Sequence, residues 1–177
     1  MRMQDLIGRL ALGIAFLLAA RGIAIGGEPA GSLRTILGTS TWDVDADQFV
    51  RGGAADFFWR HMDATKRSLT PTGGAKAAVL RDAKFADVSA EEAGKLRLTA
   101  EPLDASDKGS TLLPGTVVVF RTNKGRLGIL EIVRYRALHD FSFPEAKQIP
   151  AGAREMIRKS PNMPKYHLVV RWRFLGK

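Results

Sequence analysis

Residues 116–136 read TVVVFRTNKGRLGILEIVRYR, and this stretch carries the clearest structural signal in the chain. Two runs rich in β-branched residues, 116–122 and 126–136, flank the tripeptide NKG. A short connection that contains glycine between two such runs is typical of a β-hairpin. Residues 117–120 are apolar at every position, which predicts a central strand that is buried on both faces.

The other strand candidates lie on both sides of this hairpin. In 166–175, Leu168, Val170 and Trp172 share one apolar face. The residues predicted to look outward are His167, Val169, Arg171 and Arg173. Weaker candidates show shorter alternating runs bounded by turn residues, and these are 41–44, 56–61, 77–81 and 95–99.

Two short helices are expected among these strands. Residues 89–94 have Ser89 and Glu92 in capping-box spacing, and residues 151–159 end before a Ser-Pro pair. The sequence therefore predicts a mainly β protein: a small antiparallel sandwich or barrel-like domain with one or two short helices.

Residues 1–25 resemble a targeting segment. Arg2 and Arg9 precede an apolar run, 10–20, that has the length of a secretory h-region. Taken over 6–25, the segment would form a helix about 30 Å long, enough to span a bilayer. A cleaved signal peptide and a retained anchor both stay open, and both place the rest of the chain in the periplasm or cell envelope. If the helix is retained, a ridge of small residues would favour packing against another helix: Ala11, Ala15 and Ala19.

The remaining chain has the composition of one ordered domain. Apolar residues make up 45% of the sequence, which is too many for a disordered chain. The absence of cysteine means that burial alone must hold the domain together. We expect residues 26–38 to be a tether and residues 39–177 to form the β-rich domain.

The net charge of +9 arises in the last third of the chain. Residues 121–177 contain 13 Lys or Arg and 4 Asp or Glu, whereas residues 1–120 contain 14 of each kind. If the strands at 126–136 and 166–175 pair, four arginines form a basic ladder: Arg134, Arg136, Arg171 and Arg173. The ladder is either the solvated face of a sandwich or a docking surface for acidic protein, anionic headgroups or polyanionic glycan. Export argues against nucleic acid as a partner.

Strict alternation also predicts which side chains face inward. It places Val133 and Tyr135 on one face of their strand, and Ile132 with Arg134 on the other. Among the tryptophans, Trp42 is the one expected at the surface, whereas the other two are expected in the core.

The sequence predicts no catalytic residue, metal ligand or cofactor. Asp43, Asp45 and Asp47 alternate as calcium ligands do, but Gln48 and Ala54 stand where an EF-hand needs glycine and glutamate. A turn that bears solvated aspartates is the favoured interpretation, and whether the three carboxylates bind a cation stays open. The histidines are far apart and have no metal-ligand spacing: His61, His139 and His167.

Several blocks of the sequence occur in a recognisable order. They are ADFFW at 55–59, LTP at 69–71, GA at 74–75, FADV at 85–88, LPGTV at 113–117, FRTNKGR at 120–126 and the strand at 168–174. Together they resemble a β-rich domain of bacterial surface and envelope proteins that reads roughly FDFDTG…ADFWW…LxPxNGA…GxVFAVRTxEGxYAKLxV…LxLxWxxY. The resemblance covers about residues 41–175. It implies a binding or scaffolding module and transfers no catalytic residue to this chain.

The chain departs from that pattern in two places. The opening block at 42–47 lacks the glycine, and residues 137–165 are inserted between the last two strands. A long connection that carries its own apolar residues is often functional. We expect a partner-contact arm with Phe141, Phe143 and Met156 as apolar anchors. The alternative is a connection folded back over a sheet edge.

These features together predict a non-catalytic protein. We expect an extracytoplasmic structural or accessory subunit that docks on partner proteins of a membrane or envelope complex, with anionic lipid headgroups as a further partner. The alternative function is a binding module for glycan or another anionic polymer. No cofactor is expected in either case.

Overall fold

The structure, a computed structural model, describes residues 31–50, 52–63, 66–109, 111–159 and 166–176. Residues 31–177 form one compact unit. Its strands are β1 (Ser32–Ile36), β2 (Ser40–Asp43), β3 (Gln48–Val50), β4 (Phe57–Asp63), β5 (Lys66–Pro71), β6 (Lys76–Leu80), β7 (Leu103–Asp104), β8 (Val117–Arg121), β9 (Leu127–Ala137) and β10 (Tyr166–Phe174). The helical elements are α1 (Ala90–Gly94), a 3₁₀ turn (Pro144–Gln148) and α2 (Ala151–Arg158).

The predicted N-terminal helix and its small-residue ridge of Ala11, Ala15 and Ala19 lie outside the described residues. Within the described ranges, none of the helices combines the length and apolarity that crossing a membrane requires. Both predicted short helices are confirmed. The Ser89 side chain accepts a hydrogen bond from Glu92 N at 3.1 Å, as the capping-box spacing predicts.

The strands form two antiparallel five-stranded sheets. Sheet A has the order β1-β10-β9-β8-β6, and sheet B has the order β3-β2-β4-β5-β7. The β8–β9 hairpin is confirmed, with β8 inside sheet A and four consecutive buried residues. The expectation of a mainly β, sandwich-like domain is therefore confirmed.

The main core lies between the inner faces of the two sheets. Leu168, Val170 and Trp172 of β10 are buried in it, as their alternation predicts. The prediction for Trp42 is wrong, because its side chain is completely buried. Trp42 stacks on Phe57 with ring centroids 6.4 Å apart and meets the edge of Trp172 at 5.5 Å. The tryptophan thus joins β2 of sheet B to β10 of sheet A.

A β-bulge in β9 overturns the faces predicted by strict alternation. Arg134 pairs with Val169 and Ile132 pairs with Val170, so Val133 is the extra residue in the ladder. Val133 is exposed, whereas Ile132 belongs to the main core and Tyr135 packs against it. Because of this one extra residue, Ile132 before the bulge and Tyr135 after it both lie on the inner face of the sheet.

A second apolar cluster covers part of the outer face of sheet A. Phe85, Val88 and Ala93, from the segment around α1, pack on Val119 and Ile129. The strand predicted at 95–99 is wrong: in that range only Thr99 pairs, in an isolated bridge to Ala77. Sheet A is thus covered on its outer side by a loop and one helical turn, as well as by sheet B on its inner side.

The tether predicted at 26–38 is wrong for its described part. Residues 32–36 form β1, which pairs with β10 over five residues at the edge of sheet A. The remaining strands that alternation missed are β3, β5 and β7, and two of these have only two or three residues. In β5 the inward positions are Arg67, Leu69 and Pro71, so a buried arginine interrupts the apolar pattern.

Close approach of an aromatic ring explains the glycine in β9. Gly128 pairs with Phe120, and a Cβ at Gly128 would collide with the Phe120 ring and lie 2.9 Å from Arg173 O. We expect Gly128→Ala to lower the free energy of unfolding by about 2 kcal/mol, because the core must be overpacked or the ring displaced. Gly152→Ala in α2 is the control, since a Cβ there meets nothing within 4 Å. Equal unfolding free energies for the two variants in urea denaturation would contradict the close-approach argument.

Candidate functional site

Three carboxylates meet where the β2–β3 turn approaches the β8–β9 hairpin. Asp43 ends β2, Asp45 lies in the following turn, and Asp56 immediately precedes β4. One oxygen from each residue lies within 4.8 Å of the others. Only the packing of the turn against the start of β4 brings Asp56 to the other two, because it is 11 residues from Asp45 in sequence. We call these three residues the carboxylate cluster.

Asp56 is the innermost member of the cluster. Its side chain is fully buried and accepts hydrogen bonds from Val44 N at 2.9 Å and from Asn123 N at 2.7 Å. Burial raises the pKa of Asp56, the nearby carboxylates of Asp45 and Asp43 raise it further, and the two backbone donors oppose the shift. Asp56 thus ties the β2–β3 turn to the hairpin while its charge is disfavoured by its surroundings.

Two cations of the hairpin reach the rim of the cluster. Arg126 Nη1 lies 3.3 Å from Asp45 Oδ1, and Lys124 Nζ lies 3.7 Å from Asp43 Oδ2. Both cationic side chains are more than half exposed, whereas the side chains of Asp43 and Asp45 are only 6% and 5% exposed. The other oxygen of Asp45, Oδ2, is buried and has no hydrogen-bond partner among the described residues. The turn therefore carries buried carboxylates, which corrects the expectation of solvated aspartates.

Asp47 is not part of this cluster, although the sequence groups it with Asp43 and Asp45. It adopts a positive φ of 49° and forms an ion pair with Arg34 of β1. Its Oδ1 also accepts a hydrogen bond from Trp42 Nε1 at 3.3 Å. The three aspartates do not share one strand face, because β2 ends at Asp43 and the turn that follows directs Asp47 away from Asp43 and Asp45.

The basic ladder is built as predicted on the outer face of β9 and β10, but the domain itself uses most of it. Arg171 pairs with Glu131 at 2.7 Å, and Arg173 donates to Val88 O at 3.0 Å. Both guanidinium groups lie near the Phe85 ring, at 4.7 and 5.4 Å from its centroid. These two arginines hold the outer loop against sheet A. Arg136 is also engaged within the domain, since it pairs with Asp140 at 2.8 Å. Of the four arginines, only Arg134 is exposed, as the expectation of a solvated face requires.

The first half of the insert folds back on the domain. Glu145 Oε1 accepts a hydrogen bond from Thr35 N at 3.0 Å on the free edge of β1. Phe143 is buried and meets the His167 ring at 5.0 Å, so its prediction as a surface anchor is wrong. Residues 138–149 therefore match the alternative expectation, which was a connection folded back over a sheet edge. Edge coverage of this kind protects unpaired backbone groups.

The described residues after the 3₁₀ turn, 150–159, are more exposed. None of the residues of α2 is buried, and the Met156 side chain is 72% exposed. Phe141 is half-buried, and the Arg158 guanidinium lies 5.7 Å from its ring centroid. The described structure therefore leaves Met156 as the best-exposed of the three predicted anchors.

His167 fastens the insert to the sheet. Its Nδ1 accepts a hydrogen bond from Gly38 N at 3.0 Å, and its Nε2 lies 3.0 Å from Leu138 O. Because Leu138 O can only accept, the neutral Nε2–H tautomer satisfies both contacts. Burial lowers the pKa of His167 to about 4, which keeps the ring neutral. Sequence reasoning gave this residue no role, since a lone histidine in an alternating strand carries no distinguishing signal.

The structure defines a mainly β, sandwich-like domain with a carboxylate cluster at one turn and an exposed helix on a long insert. No family model, curated protein or solved structure matches the chain. The resemblance to the envelope-protein domain therefore stays a prediction that rests on the sequence blocks alone.

Proposed function

We propose that this protein is a non-catalytic extracytoplasmic subunit that docks on a partner protein of a membrane or envelope complex, with α2 as the contact element. The observation that carries the proposal is the exposure of Met156 on a helix without buried residues. A helix of eight residues is too short to be stable by itself in water. Packing on a partner would add to the stabilisation that the partly buried residues of α2 provide.

The chemistry of α2 suits a protein partner. Methionine adapts its flexible side chain to a partner's surface and is common at such contacts. Arg154, Arg158 and Lys159 exceed the single acid Glu155 on and directly after the helix. Glu155 lies 3.9 Å from Arg158 and 3.5 Å from Lys159, and exposed pairs of this kind contribute little to stability. The basic side chains therefore favour a partner with an acidic rim around an apolar pocket.

The rigid attachment of the insert also supports the proposal. Glu145 holds residues 143–149 on the edge of β1 by its hydrogen bond from Thr35 N, and Ala146 and Ile149 of this segment are buried. A contact helix that starts directly after an anchored segment loses less conformational entropy on binding than a free arm does. The resemblance to surface and envelope domains points to the same kind of non-catalytic role.

Met156→Asp is the direct test. We expect the tagged full-length protein, purified from detergent-solubilised membranes at moderate salt, to carry a defined partner in fixed stoichiometry. The variant should bind that partner at least about tenfold more weakly, which corresponds to about 1.4 kcal/mol. Leu113→Asp is the matched control, because Leu113 is 61% exposed on a different loop. A lone monomer, or equal losses in both variants, would contradict the proposal.

The alternative function, binding of a glycan or other anionic polymer, predicts a different result. Arg134 is exposed and lies on the basic outer face of β9. Binding through such charges should fall steeply with added salt, because the interaction is largely screened beyond the Debye length. It should also depend on Arg134→Glu and not on Met156→Asp. Affinity measured in 50 and 500 mM salt with these two variants separates the two functions.

A further inference from the structure

We propose that Asp43, Asp45 and Asp56 bind one divalent cation, with Ca²⁺ as the preferred ion. The site differs from the set that alternation in the sequence suggests, because Asp56 takes the place of Asp47. It is independent of the docking function proposed above.

The spacing of the oxygens fits a single ion. Calcium binds oxygen ligands at about 2.3–2.6 Å, so two ligands of one ion are separated by about 5 Å at most. The three carboxylates offer one oxygen each within 4.8 Å of the others. This spacing is compatible with one ion that contacts all three residues.

The orphaned oxygen of Asp45 points to a missing ligand. The Asp45 side chain is 95% buried, since only 5% of it is exposed, yet its Oδ2 has no donor among the described residues. A buried carboxylate oxygen without a donor is costly, and such atoms usually have a partner. A cation bound by the three carboxylates would supply that partner.

The charges around the cluster leave room for a cation. Lys124 pairs with Asp43 and Arg126 pairs with Asp45, and both of these long side chains are more than half exposed. Either of them can swing into solvent when an ion enters, whereas the buried aspartates cannot.

Backbone amides hold the carboxylates in place for this role. Val44 N and Asn123 N donate to Asp56, and Ala46 N donates to Asp43 Oδ1 at 3.0 Å. Oriented outer contacts of this kind are typical around metal ligands. Calcium is preferred over magnesium because Mg²⁺ is usually bound by one or two carboxylates and keeps several waters.

Calcium titration of the metal-free full-length protein tests the site. We expect a 1:1 calorimetric isotherm with a Kd on the order of 0.1 mM, and a rise in Tm of about 5 °C in 5 mM CaCl₂. NaCl at matched ionic strength is the control for screening. A Ca²⁺ effect no larger than that of NaCl would overturn the proposal. Lys124 and Arg126 would then be enough to balance the charge of the cluster. Equal or tighter binding of Mg²⁺ would overturn the preference for Ca²⁺.

Asp45→Asn and Lys124→Gln are expected to change the Ca²⁺ affinity in opposite directions, and Asp47→Asn is their control. Asp45→Asn should weaken Ca²⁺ binding at least about tenfold, whereas Asp47→Asn in the same turn should leave the affinity unchanged. Lys124→Gln removes a competing cation from an exposed position and should tighten Ca²⁺ binding several-fold. If Asp45→Asn does not fold, Lys124→Gln still decides: unchanged affinity in that variant would place the bound ion elsewhere.

Discussion

Trp42→Ala is expected to lower the free energy of unfolding by about 4 kcal/mol, the largest effect of any single change considered for this domain. The Trp42 ring is completely buried and contacts Phe57 of sheet B and Trp172 of sheet A. Its removal leaves a cavity between the sheets and takes away the donor that Asp47 accepts from. A loss of this size is a large fraction of the 5–15 kcal/mol by which domains are typically stable.

Urea denaturation followed by far-UV circular dichroism measures this loss without relying on tryptophan fluorescence. Trp42→Phe should cost less than half as much, because a smaller ring still fills part of the cavity. Leu33→Ala is the control, since Leu33 is 66% exposed and should change stability by less than about 0.5 kcal/mol. A Trp42→Ala variant as stable as Leu33→Ala would mean that Trp42 lies at the surface, as its sequence context suggests.

Acidification is expected to destabilise the domain through His167 by roughly 3 kcal/mol between pH 6.5 and pH 4. Burial lowers the pKa of His167 from 6.5 to about 4 in the folded protein. Between these values the unfolded chain binds a proton that the folded protein does not, so stability falls as the pH falls. Protonation would also turn Nδ1 into a donor that faces the Gly38 N–H. The insert and the β1–β2 turn should therefore loosen first.

The unfolding free energy measured at pH 7, 5.5 and 4 in His167→Gln and in wild type tests this expectation. The variant should be less stable at pH 7 but should lose less on acidification. His139→Gln is the control, because His139 is exposed and lies in the same insert. The raised pKa of Asp56 contributes with the opposite sign, since its protonation favours the folded state, and it cancels in the comparison of variants. Parallel pH curves for wild type and His167→Gln would contradict the role of His167.

Structural features that depend on residues close together in the sequence could be predicted. The β8–β9 hairpin, the inward face of β10 and the Ser89 cap all follow from local patterns of two to four residues. The prediction of an exposed Trp42 failed. Three aspartates follow this residue closely in the sequence and indicate a polar environment, yet the folded protein buries its side chain completely. Burial depends on the facing sheet, which alternation along one strand does not specify.

The bulge at Val133 shows how one residue can overturn a correct pattern. Strict alternation holds on each side of it, and the extra residue reverses which face the later side chains occupy. The carboxylate cluster is a second case. Asp43 and Asp45 were visible as candidates, but Asp56 and the hairpin cations join them only through pairing between distant segments.

The fold class, the central hairpin, the helix positions and the concentration of positive charge after residue 120 all follow from the sequence, because they depend on local periodicity and composition. Packing between distant segments sets which side chains remain available for contacts with other molecules. The fold turned Arg171, Arg173 and Phe143 toward the domain's own segments, left Met156 exposed, and brought three carboxylates together, one of which has a buried oxygen without a described hydrogen-bond partner. The physical reason is that burial and pairing are properties of contacts between segments far apart in the chain, which no local pattern encodes.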